Sequence, residues 1–269
     1  LDSKMLDVLK IWTGKANLAP WRDMLDRWSK ATQEITVAIV GKYVHLTDTY
    51  KSLNEALHHG AIPHDCSVKL QYVDSETLTK KTLESELGNV DAILVPGGFG
   101  ERGVDGKILA IRYARENSVP FFGICLGMQL AVIEYAQSIL GWDDANSREF
   151  DEDSTHLVID LMDAQRNITD KGGTMRLGAY PCSLAKGSVA NKVYGSRNVS
   201  ERHRHRYEVS SAWVEALIKG GLDISGRSPD GKLVEMVELS EDKHPYFVAC
   251  QFHPEFKSRP LDPHPLFVG

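Results

Sequence analysis

Cysteine is scarce: Cys66, Cys125, Cys182 and Cys250 are the whole complement, and no two make a C-x-x-C pair. That scatter excludes a disulfide framework or a zinc ribbon as the organising device. It fits a reducing compartment, so a cytoplasmic location is expected. No apolar run approaches the roughly 18 residues of a membrane span and no signal-peptide pattern opens the chain, so no membrane partner is expected. Positive charge is also short. The 31 Lys and Arg stand against 37 Asp and Glu, a formal net charge of −6, which argues against nucleic acid as a partner. Internal repeats and low-complexity tracts are missing as well. The first residue is Leu rather than Met, from which a longer parent chain is expected.

What remains is ordinary globular material, 42% hydrophobic and 25% charged over 269 residues, ample for a substantial core. Residues 1–33 read as a leader of two short helices. Met5, Leu6, Leu9, Ile11 and Trp12 recur at helical spacing, Pro20 opens the second helix, and Leu25 and Trp28 give it an apolar side. From residue 34 to 269 a single domain is expected, and its first half alternates strand and helix. Strands are predicted at 35–40, 68–73 and 91–95. Helices are predicted from an Asp48 or Thr49 cap through Leu57, at 78–87 and at 107–117. Near-continuous apolar strands between helices imply an α/β fold with a mostly parallel central sheet covered on both faces, and sites at the strands' carboxyl ends. Later strands are expected at 157–161, 178–184 and 246–251, with a hairpin arm at 233–239, a helix at 213–218 and an extended, proline-rich tail.

The chain is organised around Val-Pro-Phe-Phe-Gly-Ile-Cys-Leu-Gly-Met-Gln-Leu at 119–130. An apolar strand stops at Cys125, flanked by Gly123 and Gly127, and a helical pattern follows. This is the G-x-S-x-G nucleophile elbow with sulfur in place of the hydroxyl. The apex of such a turn is strained, and the following helix aims its amides and dipole at the sulfur, favouring thiolate. A buried structural cysteine at a tight junction is the alternative reading. A thiolate needs a base. His253 stands at the end of a late strand, with Glu255 two residues on across Pro254, where a carboxylate could fix the imidazole's tautomer. His-Pro-Glu could also be a plain strand terminator.

Gly98-Phe-Gly-Glu-Arg-Gly103 satisfies G-x-G-x-x-G. The acidic residue that a dinucleotide site wants about 20 positions on is missing, and Cys125 stands there instead. A better account makes the Gly98 amide the second half of an oxyanion hole begun at Leu126. The cluster Glu201-Arg-His-Arg-His-Arg-Tyr-Glu208 has poor spacing for a metal site and is too short for a nucleic-acid patch. By spacing alone it reads as a solvated loop, with an arginine able to hold a carboxylate or phosphate.

Together these pieces resemble the class I (triad) glutamine amidotransferases and, more finely, the glutaminase domains of the CTP synthase family. The likeness runs from about residue 35 to the end. It rests on five ordered motifs: Pro96–Gly103, Phe122–Ala131, Gly173–Gly178, Arg202–Val209 and Cys250–Phe256. The resemblance implies a flavodoxin-like amidotransferase fold and a catalytic triad of Cys125, His253 and Glu255, with Gly98 and Leu126 amides holding the oxyanion. It implies glutamine contacts at Gly98, Leu126, Gly127, Met128, Gln129, Glu149 and Arg206, and a GTP response through Phe99, Arg102 and Asp105. Asp105 stands where the family usually has Glu. It further implies no cofactor or metal in this part, and an N-terminal synthetase domain outside this chain that uses ATP, Mg and the released ammonia to aminate UTP. The leader would then be an interdomain linker and the whole enzyme a homo-tetramer. Other expectations left open are service to a different synthetase, a non-catalytic module on the same fold, and a plain cysteine hydrolase.

Overall fold

The computed structural model describes residues 2–11, 17–46, 48–161 and 175–269. Alternation of apolar side chains builds its centre. Ala38 and Val40 of β1 (Gln33–Gly41) enter one buried cluster, and Val37 and Ile39 enter the other, on the opposite face of the sheet. The same division recurs in β3 (Ala92–Val95), β4 (Phe121–Ile124) and β12 (Phe247–Cys250), which are buried along nearly their whole length. Burial on both faces explains the uninterrupted apolar runs. Phe121 and Phe247 meet across β4 and β12 with ring centroids 4.5 Å apart. Each such side chain removed from water contributes about 1.5–3 kcal/mol.

With β2 (Cys66–Asp74), these strands form the parallel half of a nine-stranded sheet in the order β2-β1-β3-β4-β12. The sheet continues antiparallel through β11 (Val234–Leu239), β10 (Asp223–Arg227), β7 (Arg176–Leu184) and β8 (Asn198–His205). A second sheet of three strands joins β5 (Asn146–Ser147), β6 (Leu157–Leu161) and β9 (Tyr207–Val209). Helices α5 (Val104–Glu116) and α6 (Leu126–Ser138) cover one face of the parallel half. On the other lie α3 (Lys51–Ala61), α7 (Val189–Tyr194) and α9 (Pro265–Val268).

Several expected boundaries move. No side chain of Asp48 or Thr49 caps α3; Tyr50 takes the N-cap, and its hydroxyl donates to the Lys42 carbonyl at 2.6 Å. Of 78–87 only α4 (Leu83–Leu87) is helical, because the preceding Thr and Lys run is spent in side chain-bonded turns. Helix α5 starts three residues earlier than expected, capped by Gly103 in the left-handed region. The tail closes as α9, since Pro265 suits the first turn of a helix and His264 caps it. The helix expected at 213–218 is α8 (Val214–Gly220). In the leader, α1 (Asp2–Leu9) and α2 (Ala19–Ser29) form, but Met5, Leu9, Leu25 and Trp28 are exposed, and of the described side chains there only Met24 is buried. Arg27 ties α2 to Asp65 at 2.7 Å. Trp12, and Gly173 and Thr174 of the third motif, lie outside the described residues. No helix among the described residues is long and apolar enough to cross a membrane.

Candidate active site

Four parallel strands end on one side of the sheet around Cys125. Strand β4 delivers it to the apex of the turn into α6, at φ 53° and ψ −103°, a conformation that side chains with a Cβ adopt only under constraint. Tight packing supplies the constraint. The Cys125 amide donates to the Cys250 carbonyl at 2.7 Å, and its carbonyl accepts from Met128 and Gln129. A Cβ on Gly127 would lie 2.1 Å from the Val95 carbonyl oxygen, so only glycine lets α6 approach β3 this closely. The first eleven residues of α6 are buried, Glu134 included, and Arg115 satisfies that carboxylate with two bonds of 2.8 and 2.9 Å.

Strand β12 runs beside β4, and His253 follows it by three residues. Its amide is fixed on the Arg202 carbonyl at 2.8 Å. Residues 254–256 form a 3-10 turn rather than an extended segment, and this turn brings Glu255 back onto the imidazole, Oε1 to Nδ1 at 2.8 Å. Burial of the ring opposes its protonation. The neighbouring Cys125 sulfur and the hydrogen-bonded Glu255 carboxylate outweigh burial and carry the imidazole up to about 10. Near neutrality an imidazolium therefore faces the sulfur.

Cysteine and histidine share a cavity of about 520 Å³ with the Pro96–Gly98 turn, Lys42, Lys107 and Arg204. Gly98 and Leu126 are neighbours: a Cβ on Gly98 would stand 3.4 Å from Leu126 Cδ2, and neither amide finds an acceptor among the described residues. Two unpaired N–H groups at a helix N-terminus and a glycine turn can bind an oxyanion.

The remaining expected site residues are placed unevenly. Glu149 accepts from the Gly100 amide at 2.7 Å, so it anchors the same glycine turn. Arg206, half-buried between β8 and β9, makes no hydrogen bond or ion pair with any described residue. Gln129 is buried and donates to the Tyr207 carbonyl and to Gln251 Oε1 at 3.0 and 3.2 Å. Met128 is buried in the core, so it and Gly127 offer backbone only. None of Glu149, Arg206, Gln129 and Met128 lines the cavity beside Cys125. Phe99 is about half-exposed; Arg102 pairs with Glu76 and lies over the Tyr43 ring; Asp105 is exposed in the first turn of α5.

Gln251 is a contact that the residue-by-residue reading passed over. It is fully buried, and its amide reaches Cys125 Sγ at 3.8 Å while Gln129 holds its other end. Its place two residues before His253, on the same face of an extended segment, was the available signal.

The solvated-loop reading of 201–208 is overturned. Strands β8 and β9 carry the cluster, with Glu201, His203, His205 and Glu208 inward and Arg202 and Arg204 outward. Arg176 bridges Glu208 and Glu235 at 3.0 and 2.8 Å. Burial first, then the Arg176 charge, pushes His203 down to about 3, so it is neutral. Among the described residues no three His, Cys, Asp or Glu side chains are grouped to hold a metal ion.

Residues 45–269 match the family model "Glutamine amidotransferase class-I". The chain is 57% identical over 267 residues to CTP synthase of Syntrophus aciditrophicus and 58% identical over 268 residues to that of Geobacter metallireducens, covering 99% of this chain and 49% of each relative. It thus spans about half the length of the curated relatives it matches. The glutaminase domain of Trypanosoma brucei CTPS, solved with bound acivicin, superposes with a TM-score of 0.81 at 45% identity, over 87% of this chain and 91% of that one.

Proposed function

The chain belongs to the glutamine amidotransferase class-I family, and from that premise we propose that it is the glutaminase half of a CTP synthase. The observation that carries this reading is the cysteine held at φ 53° in a cavity that it shares with an imidazole supported by Glu255 at 2.8 Å.

The Cys125 thiolate attacks the side-chain carbonyl carbon of glutamine. A C–S bond forms and the carbonyl electron pair moves onto oxygen, where the Gly98 and Leu126 amides receive it. As the oxyanion collapses, the C–N bond breaks. His253 gives its proton to the departing nitrogen, which leaves as ammonia, and Glu255 keeps the ring oriented. The neutral imidazole then takes a proton from water, whose oxygen displaces sulfur from the thioester. Glutamate leaves and the thiolate–imidazolium pair is restored.

Substrate binding is assigned on charge. An α-amino group calls for a carboxylate, met by Glu149, and an α-carboxylate for a cation, met by Arg206, with Gln129 and the backbone of Gly127 and Met128 alongside. The ammonia is proposed to pass to a synthetase half outside this chain, which with ATP and Mg converts UTP to CTP. Residues 1–33 are proposed as the linker to that half, in a cytoplasmic homo-tetramer. A GTP response is proposed through Phe99, Arg102 and Asp105. The Phe99 carbonyl accepts from Lys42 and the Gly100 amide donates to Glu149, so a ligand on this turn would be felt at Gly98.

Glutamate release from glutamine, measured with and without added GTP, tests the reading. Activity in the wild type that vanishes in Cys125→Ala is expected; undiminished activity in that variant would sink it.

A further inference from the structure

One cationic side chain beside this site is fully buried and has no partner among the described residues. Lys107, in the first turns of α5, is 1% exposed and is among the largest fully buried side chains. Its ammonium makes no hydrogen bond or ion pair with any described residue, although lysines this deep are normally paired. It lines the cavity that Cys125 and His253 also line. A Cβ on Gly98 would stand 3.9 Å from Lys107 Nζ and 3.4 Å from Leu126 Cδ2. Gly98 is therefore packed against both the ammonium and the residue that supplies the other half of the oxyanion hole.

We infer that Lys107 is a positioning residue for the oxyanion turn, its buried charge acting through Gly98 on the negative charge that develops in the tetrahedral intermediate. The inference rests on the glutaminase reading above. Among the described residues nothing in the resting site neutralises Lys107, whereas the reaction transiently places an anion at the Gly98 amide. At an effective dielectric near 20, a cation within roughly 6–10 Å of an anion favours it by roughly ten- to hundredfold in rate.

Other charged groups around the cavity come from separate elements. Lys42 lies at the end of β1, with Nζ on the Phe99 carbonyl at 2.7 Å, and Arg204 lies on β8. Cys125 is on the elbow, and His253 and Glu255 are on the 3-10 turn. Asp48 and Lys51 lie at the start of α3. Burial first, and then the Lys42 charge, lowers Lys107 to about 8. The ammonium is thus present at neutral pH and lost in mild alkali.

The test is the pH profile of kcat and KM for glutamate release in wild type, K107M and K107R, with thermal melts alongside. Lys107→Met keeps shape and removes charge. It is expected to lower kcat about tenfold or more at pH 7, with KM within about twofold, and to erase the fall in wild-type activity near pH 8. Its melting temperature should rise, most clearly below pH 8, where the wild type carries the buried charge. Lys107→Arg keeps the charge and should restore much of kcat while abolishing the limb near pH 8. Wild-type kcat and an intact alkaline limb in K107M would overturn the inference and leave the glutaminase reading standing. If K107M does not fold, an unchanged limb near pH 8 in K107R overturns it. A wild type that releases no glutamate, with Cys125 inert to a glutamine-like electrophile, sinks the glutaminase reading instead.

Discussion

His253 Nδ1 stands 2.8 Å from Glu255 Oε1 across one proline, and the second oxygen of that carboxylate is buried without a partner among the described residues. The carboxylate is therefore committed to the imidazole. Replacing it as Glu255→Gln keeps a hydrogen-bond acceptor and removes the charge that favours imidazolium. The histidine, held at about 10 against burial, should titrate lower. Its folded value lies above its unfolded value of about 6.5, so its contribution to stability is complete below about 6.5 and is lost as pH rises toward 10. In E255Q that loss should be smaller and should end at lower pH. Glutamate release should fall by about 10²-fold or more. The pH dependence of Cys125 alkylation by iodoacetamide checks the assignment: an unshifted profile in E255Q speaks against it.

The strained backbone at Cys125 separates chemistry from stability. Cys125→Ala and Cys125→Gly should both lose glutamate release. Only glycine accepts φ 53° with ψ −103° at little steric penalty, which is of order 1–3 kcal/mol for other residues. Offset by the roughly 0.5–1 kcal/mol that glycine gives up in chain entropy, C125G should still be more stable than C125A by about 1 kcal/mol. Denaturant melts of the two variants decide it, and equal stabilities would mean that the turn is not strained.

What the sequence made legible was local. Gly123, Cys125 and Gly127 announce a strand–turn–helix because each residue's demand is set within five positions, and His253-Pro254-Glu255 announces a supported imidazole for the same reason. The central parallel strands β3, β4 and β12 were readable because burial on both faces leaves no polar residue in them. Three things escaped. The pairing of Arg176 with Glu208 and Glu235 joins three strands, and no local pattern encodes it. The inward turn of His203 and His205 was encoded, as a period of two running Glu, Arg, His, Arg, His, but the charge density hid a buried strand. Lys107 opens the helix expected at 107–117, and no local pattern says that it is buried beside the Pro96–Gly98 turn.

Arg176 faces two buried carboxylates with a single charge, so one of them should retain a proton. Burial, eased by Arg176 and reinforced by Glu235, raises Glu208 to about 8. A carboxyl whose folded value exceeds its unfolded value of about 4.5 binds its proton more tightly when folded. Stability must then fall as pH rises from about 4.5 to about 8. Glu208→Gln mimics the protonated form and should flatten that slope, gaining on the wild type by at least about 1 kcal/mol between pH 6 and pH 9. Melts of both proteins across this range are the measurement, and parallel slopes would show Glu208 to be ionised throughout.

Two glycines beside the site should respond in opposite ways to the same added methyl. At Gly127 a Cβ meets the Val95 carbonyl oxygen at 2.1 Å, within the backbone of β3, which can move only by opening the junction of sheet and α6. Gly127→Ala should therefore be destabilised by about 3 kcal/mol or should not fold. At Gly97 the nearest atoms are His253 Cε1 at 2.8 Å and Cys125 Cβ at 3.4 Å, and a side chain can swing where backbone cannot. Gly97→Ala should keep its fold, losing about 1 kcal/mol or less, while the imidazole is pushed off the sulfur. A displacement of this size costs about 10²-fold in rate when the displaced group carries the proton. Melting curves set against glutamate release for the two variants separate the roles. A folded G97A with wild-type activity would mean that His253 does not work from the position it occupies against the Pro96–Gly98 turn.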